Sequence, residues 1–206
     1  MALVKSNQTA LEQIQEGSAR AGRAVLFLQL SGSDPDLRRT AAMELAGDIE
    51  AVSELLAQLA DEENYPVRQA IVSSLAAIGG SSVVEGVLGY LRSDDASLRN
   101  DVIDLLKDQP DAIAPHMPSL LADPDPDVRI FAVNILESLK HPKVVDWLIA
   151  VIETDRHINV CATAVDLIGE VGDARARVPL ARLEERFADE PFITFAVASA
   201  LDKIAA

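Results

Sequence analysis

Apolar and polar positions alternate along the chain with a helical period, and the pattern itself repeats. The turn Asp34-Pro35-Asp36-Leu37-Arg38 returns as Asn64-Tyr65-Pro66-Val67-Arg68, Asp95-Ala96-Ser97-Leu98-Arg99 and Asp125-Pro126-Asp127-Val128-Arg129, with the arginines at intervals of 30, 31 and 30 residues. After each turn, apolar or small residues recur in steps of three and four, as in Val67, Ala70, Ile71, Leu75 and Ile78, or Val128, Phe131, Ala132, Ile135, Leu136 and Leu139. Such steps mark one face of an amphipathic helix. The register continues through His157, Val160, Cys161, Ala164, Val165 and Ile168, then through Ile193, Ala196, Val197, Ala200, Leu201 and Ile204. In these last two copies Ile158 and Thr194 stand in place of the arginine.

A second helix is predicted in each unit, at Ala51–Leu59, Val83–Leu91, Ala112–Leu121, Val144–Ile152 and Ala176–Phe187. Turn chemistry separates the helices: Gly79-Gly80-Ser81, Gln109-Pro110-Asp111, His141-Pro142 and Gly172-Asp173 on one side, Asp-rich clusters on the other. No stretch sustains a period of two, so no sheet is expected. A hairpin of about 30 residues cannot bury its apolar face alone, whereas stacked hairpins can. The pattern therefore predicts an all-α fold, a right-handed alpha-solenoid of about six stacked helical hairpins. It is expected as a single domain over 1–206, with a cap segment at 1–20 containing a short helix at Thr9–Glu16. The repeat units fall near 21–48, 49–79, 80–109, 110–140, 141–170 and 171–206.

Charge changes what such a stack is expected to bind. Of 206 residues 33 are acidic and 18 basic, a formal net charge of −15 with a sequence pI near 4.5. Binding to a phosphate backbone needs a concentrated basic surface, so nucleic acid is not expected as a partner. Fourteen of the 33 acids, among them Asp34, Glu62, Asp95, Asp125 and Asp155, gather at the turns before the second helices. There they are expected to cap free amides and oppose the helix dipole. Aromatic residues make up only 4% of the chain, and Cys161 is the single cysteine, so no intrachain disulfide forms. No apolar run approaches the roughly 18 residues of a membrane span, and the first residues do not read as a secretion signal. The expectation is a cytoplasmic protein without membrane association.

The Asp-x-x-Val-Arg turn ahead of an Ala- and Leu-rich helix, and the run Gly172-Asp173-Ala174-Arg175-Ala176-Arg177-Val178-Pro179-Leu180, resemble HEAT repeats. The nearer likeness is to the short variant named for phycobilisome lyases, and it extends from about Ala21 to Ala206. The resemblance implies a structural ladder in which Arg38, Arg68, Arg99 and Arg129 pair with turn carboxylates of their own or neighbouring units. For activity it implies no single answer, because adaptors, scaffolds, chromophore lyase subunits and a few enzymes share the repeat.

No catalytic constellation converges. His116, His141 and His157 lie at different repeat positions without a ligand at metal-binding spacing, and none is followed by Glu, as in the metal-dependent hydroxylases of similar repeats. Asp123, Asp125 and Asp127 resemble the start of a calcium loop, but Pro124 and Pro126 interrupt it and its later positions are wrong. Cys161 sits on an apolar stripe and reads as a small buried hydrophobe. Trp147 reads as a packing residue. Phosphate loops, dinucleotide fingerprints and nucleophile elbows are absent. These observations predict no catalytic residue, no metal and no cofactor.

What remains is an inner, concave row of the second helices: Arg39, Gln69, Ser73, Asn100, Asp104, Ile130, Asn134, Asn159 and Thr163. Mostly neutral and hydrogen-bonding, it suits a protein or peptide partner. The expectation is a non-catalytic adaptor or scaffold, not an enzyme, and a monomer or weak homo-oligomer. The alternative is a bilin or tetrapyrrole lyase-like subunit or chaperone. A HEAT-like DNA glycosylase ranks below both, because the row lacks a basic groove.

Overall fold

The computed structural model describes residues 20–205, and the cap helix expected at Thr9–Glu16 lies outside them. All regular structure among the described residues is helical. In chain order the helices are α1 (20–30), α2 (Pro35–Glu44), α3 (Val52–Asp61), α4 (Tyr65–Ile78), α5 (Ser81–Val87), α6 (Ala96–Lys107), α7 (Pro110–Ile113), α8 (Met117–Leu121), α9 (Pro126–Leu136), α10 (Val144–Thr154), α11 (Ile158–Val171), α12 (Arg177–Arg186) and α13 (Pro191–Ala205). The chain divides into two compact units between Gly86 and Val87.

The turn acids start the helices as expected. Asp34 accepts from the Asp36 amide at 2.9 Å, Asp125 from Asp127 at 2.9 Å, and Asp95 from Ser97 and Leu98 at 2.9 and 3.2 Å. Asn64 does the same for α4 through the Val67 amide at 3.3 Å. Each cap satisfies a helix amide that lacks an intrahelical partner and contributes about 1 kcal/mol. At the far end of α4, Gly79 and Gly80 take positive φ of 62° and 85°, a conformation that side chains with a Cβ resist. Gly172, which ends α11, is required for a different reason. Its φ is an ordinary −73°, but a Cβ there would lie 2.3 Å from the Ile168 carbonyl oxygen.

Within the first unit, α3 and α4 form a hairpin and α4 packs on α2. Ser74, buried on α4, donates to the Ala42 carbonyl at 2.7 Å and ties those two helices together. In the second unit α8–α9, α10–α11 and α12–α13 are hairpins. Their second helices line up as α6, α9, α11 and α13, and their first helices as α8, α10 and α12. The core is aliphatic: Leu55, Ile71 and Leu75 in the first unit, Leu106, Ile135, Leu136 and Leu148 in the second, are sealed from solvent. Burial of each contributes roughly 1.5–3 kcal/mol. Among the aromatics, Phe192 and Phe195 stand outside the core on α13.

Two first helices differ from the sequence expectation. The helix expected over Ala112–Leu121 is broken into α7 and α8, because Pro115 and Pro118 remove amides that a continuous helix would use. The one expected over Val83–Leu91 ends at Val87 and finishes as a 3₁₀ turn over Leu88–Arg92.

Candidate functional site

The repeat arginines hold the turns together. Arg38 grips Glu62 with two hydrogen bonds of 2.8 and 2.9 Å and donates to the carbonyls of Gly32 and Ser33, both at 3.0 Å. Glu62 also accepts from Gln58 and from the Asn64 amide, each at 2.9 Å. The Arg38 guanidinium, helped by these donors and opposed by burial, holds the Glu62 carboxyl below its ordinary range. Arg129 repeats the arrangement with Asp155 at 2.6 and 3.1 Å and with the carbonyls of Asp123 and Pro124. Arg99 keeps only part of it. It donates to the Ser93 carbonyl at 2.6 Å, but its guanidinium lies over the Phe131 ring, 5.0 Å from the centroid. The carboxylate of Asp123 is taken instead by Arg92 and by the Asp125 amide. Arg68 lies over Tyr65, at 5.9 Å from the ring centroid.

The fifth turn has Ile158 at the arginine position, and a residue not singled out in the sequence fills the role. Arg186, at the end of α12, donates to the carbonyls of Ile152, Glu153 and Asp155 at 2.9, 2.8 and 2.8 Å. Its guanidinium thereby satisfies free carbonyls at the C-terminus of α10 and opposes that helix's dipole. It also reaches Cys161 Sγ at 3.5 Å. Burial pushes the Cys161 thiol upward, with Arg186 opposing the shift only in part. That leaves a protonated sulfur that donates to the Asp155 carbonyl at 3.4 Å. Only the three-dimensional register could reveal Arg186, because in sequence it lies 31 residues beyond Asp155.

The nine inner-row residues fall into separate places. In the first unit Arg39, Gln69 and Ser73 share a cleft of about 350 Å³ with Met43, Tyr65, Pro66 and Ala70. In the second unit Asn134 and Thr163 line a smaller groove of about 150 Å³, together with Val133, Leu167 and the acids Glu137, Asp166 and Glu170. Asn100, Asp104 and Asn159 are exposed and Ile130 is half-buried, but none of these four lines either hollow. Asp104 lies 3.8 Å from Lys107, and the Thr163 hydroxyl turns back onto the Asn159 carbonyl at 2.9 Å. His141 stacks on Trp147, with ring centroids 4.9 Å apart and planes 12° from parallel, which gives both residues a packing role. Among the described residues no cluster of three or more His, Cys, Asp or Glu side chains could hold a metal ion, and no helix is long and apolar enough to cross a membrane.

A fold built of helical hairpins at intervals of 30 to 31 residues, with Arg38, Arg99 and Arg129 bracing three of the first four turns, defines an all-α repeat protein. Residues 24–107 and 113–204 match the HEAT repeats family, and the chain belongs to it. The phycocyanin operon protein Z of Pseudanabaena tenuis (strain PCC 7409), described as uncharacterized, is 28% identical over 189 residues, covering 86% of this chain and 93% of that protein. A solved chain from the complex of CpcE and CpcF of phycocyanin lyase from Nostoc sp. PCC7120 is similar at a TM-score of 0.39 and 19% identity, covering 88% of this chain and 94% of that one.

The phycocyanin operon protein corrects two expectations. The expectation of a non-catalytic adaptor is overturned by this relative, matched over nearly its whole length. The expectation that the chain is not an enzyme falls with it. That expectation rested on the lack of a converging catalytic set in a chain that is repeat throughout.

Proposed function

We propose that the chain is a lyase-like subunit or chaperone that brings an open-chain tetrapyrrole, a bilin, together with an apoprotein. The observation that carries this reading is the kinship with a phycocyanin operon protein along 93% of that protein's length. A reaction that attaches a chromophore to another protein takes its nucleophile from the acceptor. A nucleophile in this chain is therefore not required, and the buried Cys161 is not called upon. The chain must instead offer surfaces that hold two partners in a productive geometry. The inner rows are the surfaces proposed for this, Arg39, Gln69 and Ser73 in the first unit and Asn100, Asp104, Ile130, Asn134, Asn159 and Thr163 in the second. The cofactor-sized partner is the bilin and the protein partner is the apoprotein.

The test mixes the purified chain with a bilin and apo-phycocyanin, with and without a second lyase subunit. Covalent adduct is followed by intact mass and by the visible absorption band. A faster or cleaner adduct in the presence of the chain is expected. Identical rate, yield and product spectrum with and without it, in both mixtures, would remove the reading.

A further inference from the structure

The hollows of the molecule differ in one respect that its net charge of −15 makes informative. A cleft at the turns of the first unit is lined by Arg38 together with Asp61, Glu62 and Glu63, and the inner groove of the second unit by Glu137, Asp166 and Glu170. The cleft between α2 and α4 has no acidic side chain in its lining, although it too opens on the inner row. It carries a cation instead. Among the described residues no hydrogen bond or ion pair engages the Arg39 guanidinium, whereas Arg38, next to it in sequence, is committed to Glu62 and two carbonyls.

A second donor is prepared beside Arg39. Gln69 Nε2 donates to the Tyr65 hydroxyl at 2.6 Å, so the phenol oxygen already accepts and its single proton remains to be given to a ligand. The ring is also braced by the Arg68 guanidinium, 5.9 Å from its centroid. Around these donors the surface is apolar. Met43 is 56% exposed and Tyr65 46%, so both offer apolar surface to a ligand in the cleft. Donors for an anion set in an apolar cleft of this size describe a site for an amphipathic carboxylate.

Building on the function proposed above, we propose that this cleft binds the propionate-bearing end of an open-chain tetrapyrrole, with Arg39 and the Tyr65 hydroxyl on the carboxylate and Met43, Pro66 and Ala70 against the pyrrole rings. The carboxylate supplies orientation and the rings supply contact area, so the rest of the chromophore is left free to project toward an acceptor.

The experiment titrates the full-length chain with biliverdin, an open-chain tetrapyrrole dicarboxylate, and with its dimethyl ester, reading visible absorbance and induced circular dichroism. Arg39→Gln is expected to weaken biliverdin binding about tenfold. The ester should bind the wild type about as weakly as biliverdin binds Arg39→Gln, and the variant should no longer distinguish the two ligands. Arg177→Gln, which removes an exposed cation of the second unit, should leave affinity unchanged. Far-UV circular dichroism verifies that each variant keeps its helices. Biliverdin binding that Arg39→Gln leaves intact would overturn the cleft alone, and the lyase-like reading would stand on its adduct assay. A wild-type chain that shows no spectral change with either ligand would overturn the cleft and count against the bilin reading with it.

Discussion

Arg186 donates to the main-chain carbonyl of Asp155 at 2.8 Å, and so performs from the next hairpin what Arg38 and Arg129 perform from inside their own turns. Because the same guanidinium also serves the carbonyls of Ile152 and Glu153, its removal leaves the end of α10 open. Arg186→Ala should cost about 1–2 kcal/mol and lower the melting temperature by roughly 2–8 °C. Arg182→Ala is the control, since its exposed ion pair with Glu153 spans 3.7 Å and contributes little. Equal losses for the two variants in thermal unfolding would show that the carbonyl contacts are not what stabilises this turn.

Glu62 links stability to pH. Its carboxyl is held below the ordinary value of 4.5 in the folded chain, chiefly by Arg38. The stabilisation is therefore fully present above about pH 4.5 and drains away as the pH falls through the lower folded value. Glu62→Gln should lose about 2 kcal/mol at neutral pH, since it leaves the Arg38 charge short of a partner. Urea midpoints of the wild type and variant should converge below pH 4.5. A gap that stays constant from neutral to acid pH would assign the effect to packing.

Two glycines should respond in opposite directions. Gly172→Ala forces a Cβ against the Ile168 carbonyl oxygen and should destabilise by about 2 kcal/mol or more. Gly22 lies within α1 with nothing within 4 Å of where its Cβ would be. Gly22→Ala should stabilise by about 0.5–1 kcal/mol, through helix propensity. Chemical denaturation of both variants tests the contrast, and a neutral Gly172→Ala would mean that the end of α11 yields easily.

Cys161 should be inert in the native chain. It is fully buried and burial raises its thiol pKa, so little thiolate exists near neutral pH. A disulfide reagent such as Ellman's should react only as fast as the surrounding helices open, and at the rate of an ordinary thiol in denaturant. Rapid stoichiometric labelling under native conditions would contradict the burial described here.

The repeat was legible because its signals are local: an Asp or Asn cap, a helical stripe and an arginine at a fixed offset can be aligned without coordinates. The turn carboxylates could be placed for the same reason, and Asp34, Asp95 and Asp125 cap as their positions imply. Partnerships between units were not legible. Arg99 sits at the same offset as Arg38 and Arg129, yet meets an aromatic ring, because Arg92 has taken the carboxylate of Asp123. Nor could the row through Arg39 and Thr163 be resolved into an acid-free cleft and an acid-lined groove, since lining depends on which neighbouring helix supplies Tyr65 or Asp166. The expectation of a non-catalytic adaptor rested on the absence of a converging catalytic set, and kinship with a phycocyanin operon protein overturned it.

The backward reach of Arg186 also bears on how the chain is made. Synthesis delivers residues from the N-terminus, and the turn before α2 needs only Arg38 and the carbonyls just before it to begin closing. The turn after α10 must wait until residue 186 has left the ribosome, 31 residues after Asp155 has emerged. The last hairpins are thus obliged to consolidate together late in translation, and a nascent chain stalled within that interval would present α10 with its end unsealed to chaperones and proteases.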